Sequence, residues 1–234
     1  YATLRHFFSW LQRERLILEN PVEGIRLKRP KSPPMKGYTS EEVAKLMRLC
    51  ALDFRVAPTK KSRAIAARNE ALVLAFLSTG LRLSEMASLL LEDLDLETGE
   101  VMLRKGKGGK GRRVGLVKEA LSSLLRYLRH RVGESSHLWL NEEGRPLKPS
   151  GIASLVDRLC QRTGVKPKGC HAFRRTWATE LFRAGAGIRQ VQILGGWTNL
   201  EMPHRYSQML SEDDAIQSLN AHNPLSRLLG RDTG

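Results

Sequence analysis

The chain has 234 residues, 41% of them hydrophobic, enough to bury a sizeable core in one large domain, or in one large and one partial domain. Its 39 lysines and arginines against 24 acidic residues give a formal charge of +15, which favours a polyanion as partner. Aromatic residues make up only 6%, which argues against single strands bound on stacked aromatic platforms, and no apolar run approaches the length of a membrane span.

The first predicted element is a helix over residues 1–18. Its apolar residues recur at near-helical spacing, and Glu19-Asn20-Pro21 ends it. Residues 26–37 are rich in lysine, arginine and proline, which predicts a basic linker. Such a segment either follows the backbone of a polyanion between two lobes or is a plain solvated spacer.

Two helices are predicted after this linker. Thr39 and Glu42 form a capping box, which starts a helix that runs to about Cys50. Residues 64–78 are largely apolar and predict a second, core-forming helix.

The end of the second helix places a candidate functional arginine. Thr79-Gly80 stops the helix, so a short helix begins near Arg82 and directs its guanidinium out of a turn. Glu85 follows one turn later. We expect it either to orient Arg82 or its neighbours, or to form a simple surface ion pair with it.

A β-hairpin is predicted next. A turn at residues 97–100 leads into a strand at 101–104, and residues 112–116 form the antiparallel partner. The glycines and lysines between the strands, Lys107 among them, predict a flexible tip. That flexibility suits a lysine that reaches a phosphate only in an assembled complex, although such repeats are also typical of solvated hairpin tips.

The rest of the chain is predicted to be mostly helical. Helices are expected at 116–131 and 150–162 and from residue 170 onward, with a short strand at 137–140. The helix predicted at 116–131 carries three basic residues that form either a DNA-facing or a solvated face: Arg126, Arg129 and Arg131. The predicted fold class is mainly α with a small antiparallel β-sheet.

The cysteines indicate the compartment. Cys50, Cys160 and Cys170 are odd in number and form no Cys-x-x-Cys pair, which favours a reducing compartment without a disulfide framework. Cys170 precedes His171, but no second pair of this kind lies near, so we expect no metal site. Since no signal peptide opens the chain, we expect a soluble cytoplasmic protein.

Six polar residues suit an attack by a tyrosine hydroxyl on a phosphodiester: Arg82, Lys107, His171, Arg174, Trp197 and Tyr206. The transition state carries extra charge on its non-bridging oxygens, which Arg82 and Arg174 can bind bidentately. The departing alkoxide needs a proton, which Lys107 can supply. A free tyrosine has a pKa of about 10, so we expect His171 to accept the proton of Tyr206 while nearby cations lower the pKa of Tyr206.

Each of these residues taken singly has an ordinary structural explanation. A lone His-x-x-Arg is more often a surface pair on one helical face, and a tyrosine near a C-terminal helix usually packs in a core. Trp197 in particular has a strong structural explanation, since most tryptophans bury apolar area and have their one N–H hydrogen-bonded. Their joint occurrence in one chain favours the catalytic interpretation.

The order of these motifs resembles the catalytic domain of the tyrosine recombinases, the phage-integrase and Xer-like site-specific DNA recombinases. The resemblance runs from about Tyr38 to Met209. Its motifs are Arg82 after Thr-Gly-Leu and before Ser-Glu85, Lys107 in a glycine-rich basic hairpin, His171 and Arg174 in His-x-x-Arg, and Trp197 nine residues before Tyr206.

Two positions depart from the family's pattern. Arg175 stands where the family often has a second histidine. The family's usual Leu-Gly-His is replaced by Leu194-Gly195-Gly196-Trp197, one residue longer. We interpret Trp197 as the substitute, since an indole N–H can donate to a phosphate oxygen but cannot shuttle protons.

The resemblance implies a site-specific recombinase or integrase that cuts and rejoins duplex DNA through a 3′-phosphotyrosyl link on Tyr206, without a metal or nucleotide cofactor. Implied partners are double-stranded DNA, further copies of the chain in a tetramer on two DNA sites, and DNA-bending accessory proteins, with no membrane. A bacterial, phage or mobile-element origin and a nucleoid-associated location follow from the same resemblance. Its domains would be a truncated core-binding domain's last helix (1–25), the linker (26–37), a catalytic domain (38–210) and a tail that docks in trans or packs in cis (211–234).

Three other functions remain open from sequence. A type IB topoisomerase-like enzyme would use the same residues but would mainly religate the original strand. A non-catalytic DNA-binding protein could keep the fold, although the intact Tyr206, both arginines and Lys107 argue against it. The basic charge alone also permits an RNA-binding protein, but no aromatic-rich RNA motif is present.

Overall fold

The computed structural model describes residues 2–25, 36–104 and 111–222. Most of the predicted linker, the hairpin tip with Lys107, and residues 223–234 of the predicted tail therefore lie outside the described residues. The chain divides into two compact units, Tyr1–Met35 and Lys36–Gly234. Across the described ranges, every helix is too short or too polar to cross a membrane.

Ten α-helices and two strands lie within the described residues, which confirms the predicted fold class. In chain order they are α1 (Ala2–Arg13), α2 (Ser40–Val56), α3 (Lys60–Thr79), α4 (Leu83–Ala87), β1 (Glu100–Leu103), β2 (Arg112–Gly115), α5 (Lys118–His130), α6 (Pro149–Thr163), α7 (His171–Arg183), α8 (Ile188–Gly195), α9 (Glu201–Ser207) and α10 (Glu212–His222). A 3₁₀ turn, Leu91–Asp93, precedes β1.

Helix α1 of the first unit ends five residues before the predicted boundary at residue 18. The cause is Arg15, which adopts a left-handed conformation with φ 58°. The N–H of Arg15 donates to the carbonyl of Gln12, and that of Leu16 to the carbonyl of Leu11. These two bonds form a Schellman motif, which closes the last turn of the helix.

The second unit is built around α3, which packs against α2, α5 and α7. Most residues in the middle of α3 are buried, as expected for a central helix. The predicted capping box of Thr39 and Glu42 is present at the start of α2. Helix α3 begins before the predicted residue 64 because Thr59 and Ser62 cap it in the same reciprocal way.

Two hydrophobic clusters fill this unit, and α7 contributes to both. The larger cluster surrounds α3 and includes Phe76 and Phe173, whose rings stack at 5.6 Å. The smaller one contains Trp177 of α7 together with Tyr206 of α9. All three cysteines are free and buried in the larger cluster.

The strands pair as predicted, with Glu100 opposite Gly115 and Leu103 opposite Arg112. The expected strand at 137–140 is wrong, since the segment makes only isolated bridges within the described residues. Its main chain is divided among several partners: the N–H of Leu138 donates to the carbonyl of Leu89, and the N–H of Leu147 donates to the carbonyl of Trp139. The Tyr127 hydroxyl donates to the carbonyl of Leu138 and accepts from the N–H of Leu140. The partners change from residue to residue, so the segment forms no continuous ladder with one strand.

The arginines of α5 also have partners in the fold. Arg126 donates to Glu70 at 2.7 Å and lies 5.4 Å from the Phe54 ring centroid. Arg131, just after α5, donates to the main-chain carbonyls of the following loop. These two side chains therefore have partners within the fold, and a DNA-facing role for this face stays a prediction.

Gly80, at the end of α3, gives the first testable prediction. It has φ 61°, and a Cβ there would lie 2.3 Å from the Trp177 ring. Gly164 ends α6 with a similar φ of 69° and nothing within 4 Å of an added Cβ. Gly164→Ala should therefore lower the free energy of unfolding by about 1–2 kcal/mol, the cost of left-handed backbone alone.

Gly80→Ala carries the same backbone cost and an overlap with Trp177, so it should lower the free energy of unfolding by about 1–3 kcal/mol more. Urea unfolding of both variants measures the difference. Equal losses would show that Trp177 moves aside without cost.

Candidate functional site

The structure places five of the six predicted site residues in the second unit, where each lies within a helix or next to its end. Arg82 is the N-cap of α4, and His171 and Arg174 lie in the first turns of α7. Trp197 follows α8, and Tyr206 lies in α9. Lys107, the sixth predicted residue, lies outside the described residues.

Arg174 lies at the centre of the site and is only 4% exposed. Its Nη1 donates to the carbonyl of Gly80 and its Nη2 to the carbonyl of Gly195, each at 2.6 Å. The guanidinium also lies 4.2 Å from the centroid of the Trp197 ring. Burial, and next the charge of Arg82, lower the pKa of Arg174 to about 10, so it remains a cation at neutral pH.

Glu85 joins two arginines at the edge of this centre. Its carboxylate accepts from Nη1 and the main-chain N–H of Arg82, at 2.9 and 2.8 Å. It also accepts from both terminal nitrogens of Arg112, at 2.8 and 3.0 Å. Burial opposes its ionisation, but the bonds from Arg112 and Arg82 outweigh burial and lower the pKa of Glu85 to about 2.

His171 lies beside the arginines and is exposed. Partial desolvation, and then the charges of Arg174, Arg175 and Arg82, lower the pKa of its imidazole below the usual value. A neutral imidazole is therefore favoured at pH 7, the form that can accept a proton. Arg175, at the family's second histidine position, donates to the main-chain carbonyls of Lys36 and Lys168.

Trp197 and Tyr206 pack together, with ring centroids 5.7 Å apart. Tyr206 is 9% exposed, and burial raises the pKa of its hydroxyl although Arg174, Arg175 and other arginines oppose the rise. The cations thus act on the pKa of Tyr206 in the expected direction, but desolvation outweighs them, and the net result is a raised pKa.

The sequence interpretation missed two features of the site. Arg112 has a side chain only 12% exposed and reaches both Glu85 and the carbonyl of Leu194. At Gly195 a Cβ would lie 2.0 Å from the Trp197 ring, and at Gly196 it would lie 2.8 Å from the Arg112 guanidinium. The paired glycines were a visible signal, and they mark the place where two large side chains lie against the main chain.

The arrangement suits binding and attack on a phosphate diester. Arg82 and Arg174 present cationic donors, and their charges act on the Tyr206 hydroxyl. Within the described residues no group of three His, Cys, Asp or Glu side chains is placed to hold a metal ion.

Comparisons with known proteins show the family and the fold of this chain. The profile of the phage integrase family matches residues 38–212. The tyrosine recombinase XerC of Lactobacillus delbrueckii subsp. bulgaricus is 30% identical over 89% of this chain and 70% of its own length. The crystal structure of XerA recombinase superposes with a TM-score of 0.66 at 24% identity, over 92% of this chain and 72% of that one. The crystal structure of XerH site-specific recombinase, in a post-cleavage complex with palindromic difH substrate, superposes with a TM-score of 0.69 at 22% identity. This superposition covers 95% of this chain and 64% of that one.

Acid titration tests the contacts of Glu85. Because its folded pKa of about 2 lies below the usual 4.5, its contribution to stability is present above pH 4.5 and is lost as the pH falls toward 2. The full loss is worth about 3 kcal/mol, since one pKa unit corresponds to about 1.4 kcal/mol. Unmodified protein should therefore lose more unfolding free energy than Glu85→Gln between about pH 5 and pH 3.

Urea unfolding across this pH range gives the measurement. Glu100→Gln is the matched control, because Glu100 forms an exposed ion pair with Arg113 and should leave the pH dependence nearly unchanged. Parallel pH profiles for the unmodified protein and Glu85→Gln would contradict the low pKa.

Proposed function

This chain belongs to the phage integrase family and is a site-specific tyrosine recombinase, and on that premise we propose that Tyr206 is its nucleophile. The hydroxyl of Tyr206 attacks a scissile phosphate in duplex DNA, forms a 3′-phosphotyrosyl bond and releases a 5′-hydroxyl. The 5′-hydroxyl of a partner strand then attacks that bond and frees the tyrosine. One P–O bond forms as another breaks in each step, so no nucleotide cofactor is needed.

The observation that carries this proposal is the convergence of Arg82, Arg174 and Tyr206 from separate parts of the chain. Arg174 donates to the carbonyl of Gly80, two residues before Arg82. It also stacks on Trp197, which contacts Tyr206. A phosphate beside Tyr206 would meet two guanidiniums, and these match its oxygens in geometry and charge.

Activation of the nucleophile falls to His171. The raised pKa of Tyr206 means that almost none of it is ionised at neutral pH, so attack requires a base. The imidazole of His171, whose pKa is lowered by partial desolvation and by the neighbouring arginines, accepts the proton as the new P–O bond forms.

Lys107 and Trp197 complete the proposed set. Lys107 protonates the departing 5′ oxygen, which would otherwise leave as an alkoxide of high energy. Trp197 donates its indole N–H to the phosphate, and the face of its ring contacts the guanidinium of Arg174. Glu85 is the supporting carboxylate, through its bonds to Arg82.

The protein binds DNA, and the chain's +15 charge suits a duplex held by its phosphates. We extend this to a tetramer on two DNA sites, with DNA-bending accessory proteins. Helix α10 of the tail packs against α7 of the same chain, where Arg183 donates to Asp214 at 3.1 Å. Docking in trans is accordingly proposed for the apolar residues beyond α10, in 223–234.

The proposed domains follow the same scheme. Residues 1–25 would be the last helix of a core-binding domain, 26–37 a basic linker along the DNA backbone, and 38–210 the catalytic domain. The family match to residues 38–212 supports the last of these.

Tyr206→Phe removes only the nucleophilic oxygen, so the variant should bind DNA but form no covalent complex. Nicked suicide duplexes from the protein's own genetic locus, resolved on a denaturing gel, report protein-linked DNA. Tyr127→Phe is the control, because its hydroxyl binds main-chain groups near α5. Attachment retained by Tyr206→Phe would remove Tyr206 from the mechanism; binding without attachment by the unmodified protein would favour a non-catalytic DNA-binding protein.

Lys107→Ala should slow cleavage by about 100-fold or more, the usual contribution of a general acid. A 5′-phosphorothiolate substrate should restore most of the rate, because its thiolate leaves without a proton. Lys110→Ala is the control, because it removes the same charge from the same hairpin. This variant should cleave the phosphodiester and the 5′-phosphorothiolate substrate at similar rates. Failure of the thiolate substrate to rescue Lys107→Ala would instead assign Lys107 to phosphate binding.

A further inference from the structure

We propose that Arg112 is a positioning residue for strand cleavage, one that leaves Arg82 available to the phosphate and fixes the turn that carries Trp197. The inference rests on the proposed function of Tyr206, Arg82 and Arg174. Arg112 lies at the start of β2, five residues after Lys107, and its side chain is largely buried. All three of its guanidinium nitrogens have partners in the site.

The contacts of Glu85 explain why Arg82 depends on Arg112. Arg112 binds both oxygens of the Glu85 carboxylate through its two terminal nitrogens, at 2.8 and 3.0 Å. The guanidinium of Arg82 makes a single bond to the same carboxylate, at 2.9 Å, and is 38% exposed. Without Arg112, the free carboxylate would draw Arg82 into a bidentate pair of its own. Arg82 would then present fewer donors to the phosphate.

The third nitrogen of Arg112 acts on the other side of the site. Its Nε donates to the carbonyl of Leu194 at 3.1 Å, in the last turn of α8. The next carbonyl, that of Gly195, accepts from Arg174. Two cations therefore satisfy adjacent carbonyls at the end of this helix, a favourable place for positive charge. They fix the turn from which Trp197 reaches over Arg174.

Lysine could not replace Arg112 in this role. An ammonium group has no planar fork with which to bind two carboxylate oxygens, and it cannot donate to Leu194 at the same time. The neighbouring residue, Arg113, supplies the contrast. It points to the other face of the hairpin, is 66% exposed and pairs only with Glu100 among the described residues.

The test compares two scissile linkages in the suicide duplex, a phosphodiester and a methylphosphonate. The methylphosphonate has a methyl group in place of one charged oxygen, so its transition state needs less help from Arg82. Covalent attachment to Tyr206 is measured in single turnover for Arg112→Ala, Arg112→Lys and Arg113→Ala. On the phosphodiester, both Arg112 variants should be slowed about tenfold or more, and Arg113→Ala less than about twofold.

On the methylphosphonate, the rate of covalent attachment for the Arg112 variants should fall by only about threefold or less. The reason is that this transition state depends less on the position of Arg82. An equal loss on both linkages, or the same loss for Arg113→Ala, would overturn the inference and leave the proposed function intact. Arg112→Lys keeps the charge, so its result decides the matter if Arg112→Ala fails to fold. Absence of any Tyr206-linked DNA from the unmodified protein would overturn the proposed function and, with it, this inference.

Discussion

The site depends on the burial of one guanidinium, that of Arg174, between two main-chain carbonyls. The carbonyl of Gly80 belongs to the end of α3, in the larger hydrophobic cluster, whereas that of Gly195 belongs to the end of α8, beside the smaller one. Both carbonyls lie at helix ends, where no main-chain N–H of the same helix remains to bind them. Arg174 thus joins the turn before Arg82 to the turn at the end of α8, and both of its hydrogen-bond partners are uncharged carbonyls.

This choice of partners leaves the site with an excess of positive charge. The charges of Arg82 and Arg112 both act on the buried Arg174, with Glu85 as the carboxylate among them. Like charges so close together destabilise the protein without DNA, and desolvation adds to that cost. In the proposed mechanism, a phosphodiester provides the missing negative charge. The residues that weaken the free protein would then favour the transition state, in which the phosphate carries still more negative charge.

Much of the fold and most of the site could be predicted from sequence, because local signals and family motifs coincide there. The capping box at Thr39, the glycine stop at Gly80 and the hairpin register all depend on residues close in the chain. The errors depend on contacts across the fold. The segment at 137–140 has strand-like residues, but Tyr127 and Arg131 bind its carbonyls. The contacts of Arg112 could not be deduced either, since its partners Glu85 and Leu194 are 27 and 82 residues away. Desolvation of Tyr206 is likewise a property of packing that the sequence does not display.

The three buried cysteines have a practical consequence for experiments on this protein. Burial raises the pKa of Cys50 to about 12 and that of Cys170 to about 11, and it raises the pKa of Cys160 as well. Maleimides and related dyes react with the thiolate, which these residues almost never form in the folded protein. A cysteine introduced on an exposed helix face, such as that of α10, would therefore be labelled selectively without removing the native three. Fluorescence reporters of assembly on DNA can then be attached to an otherwise unaltered chain.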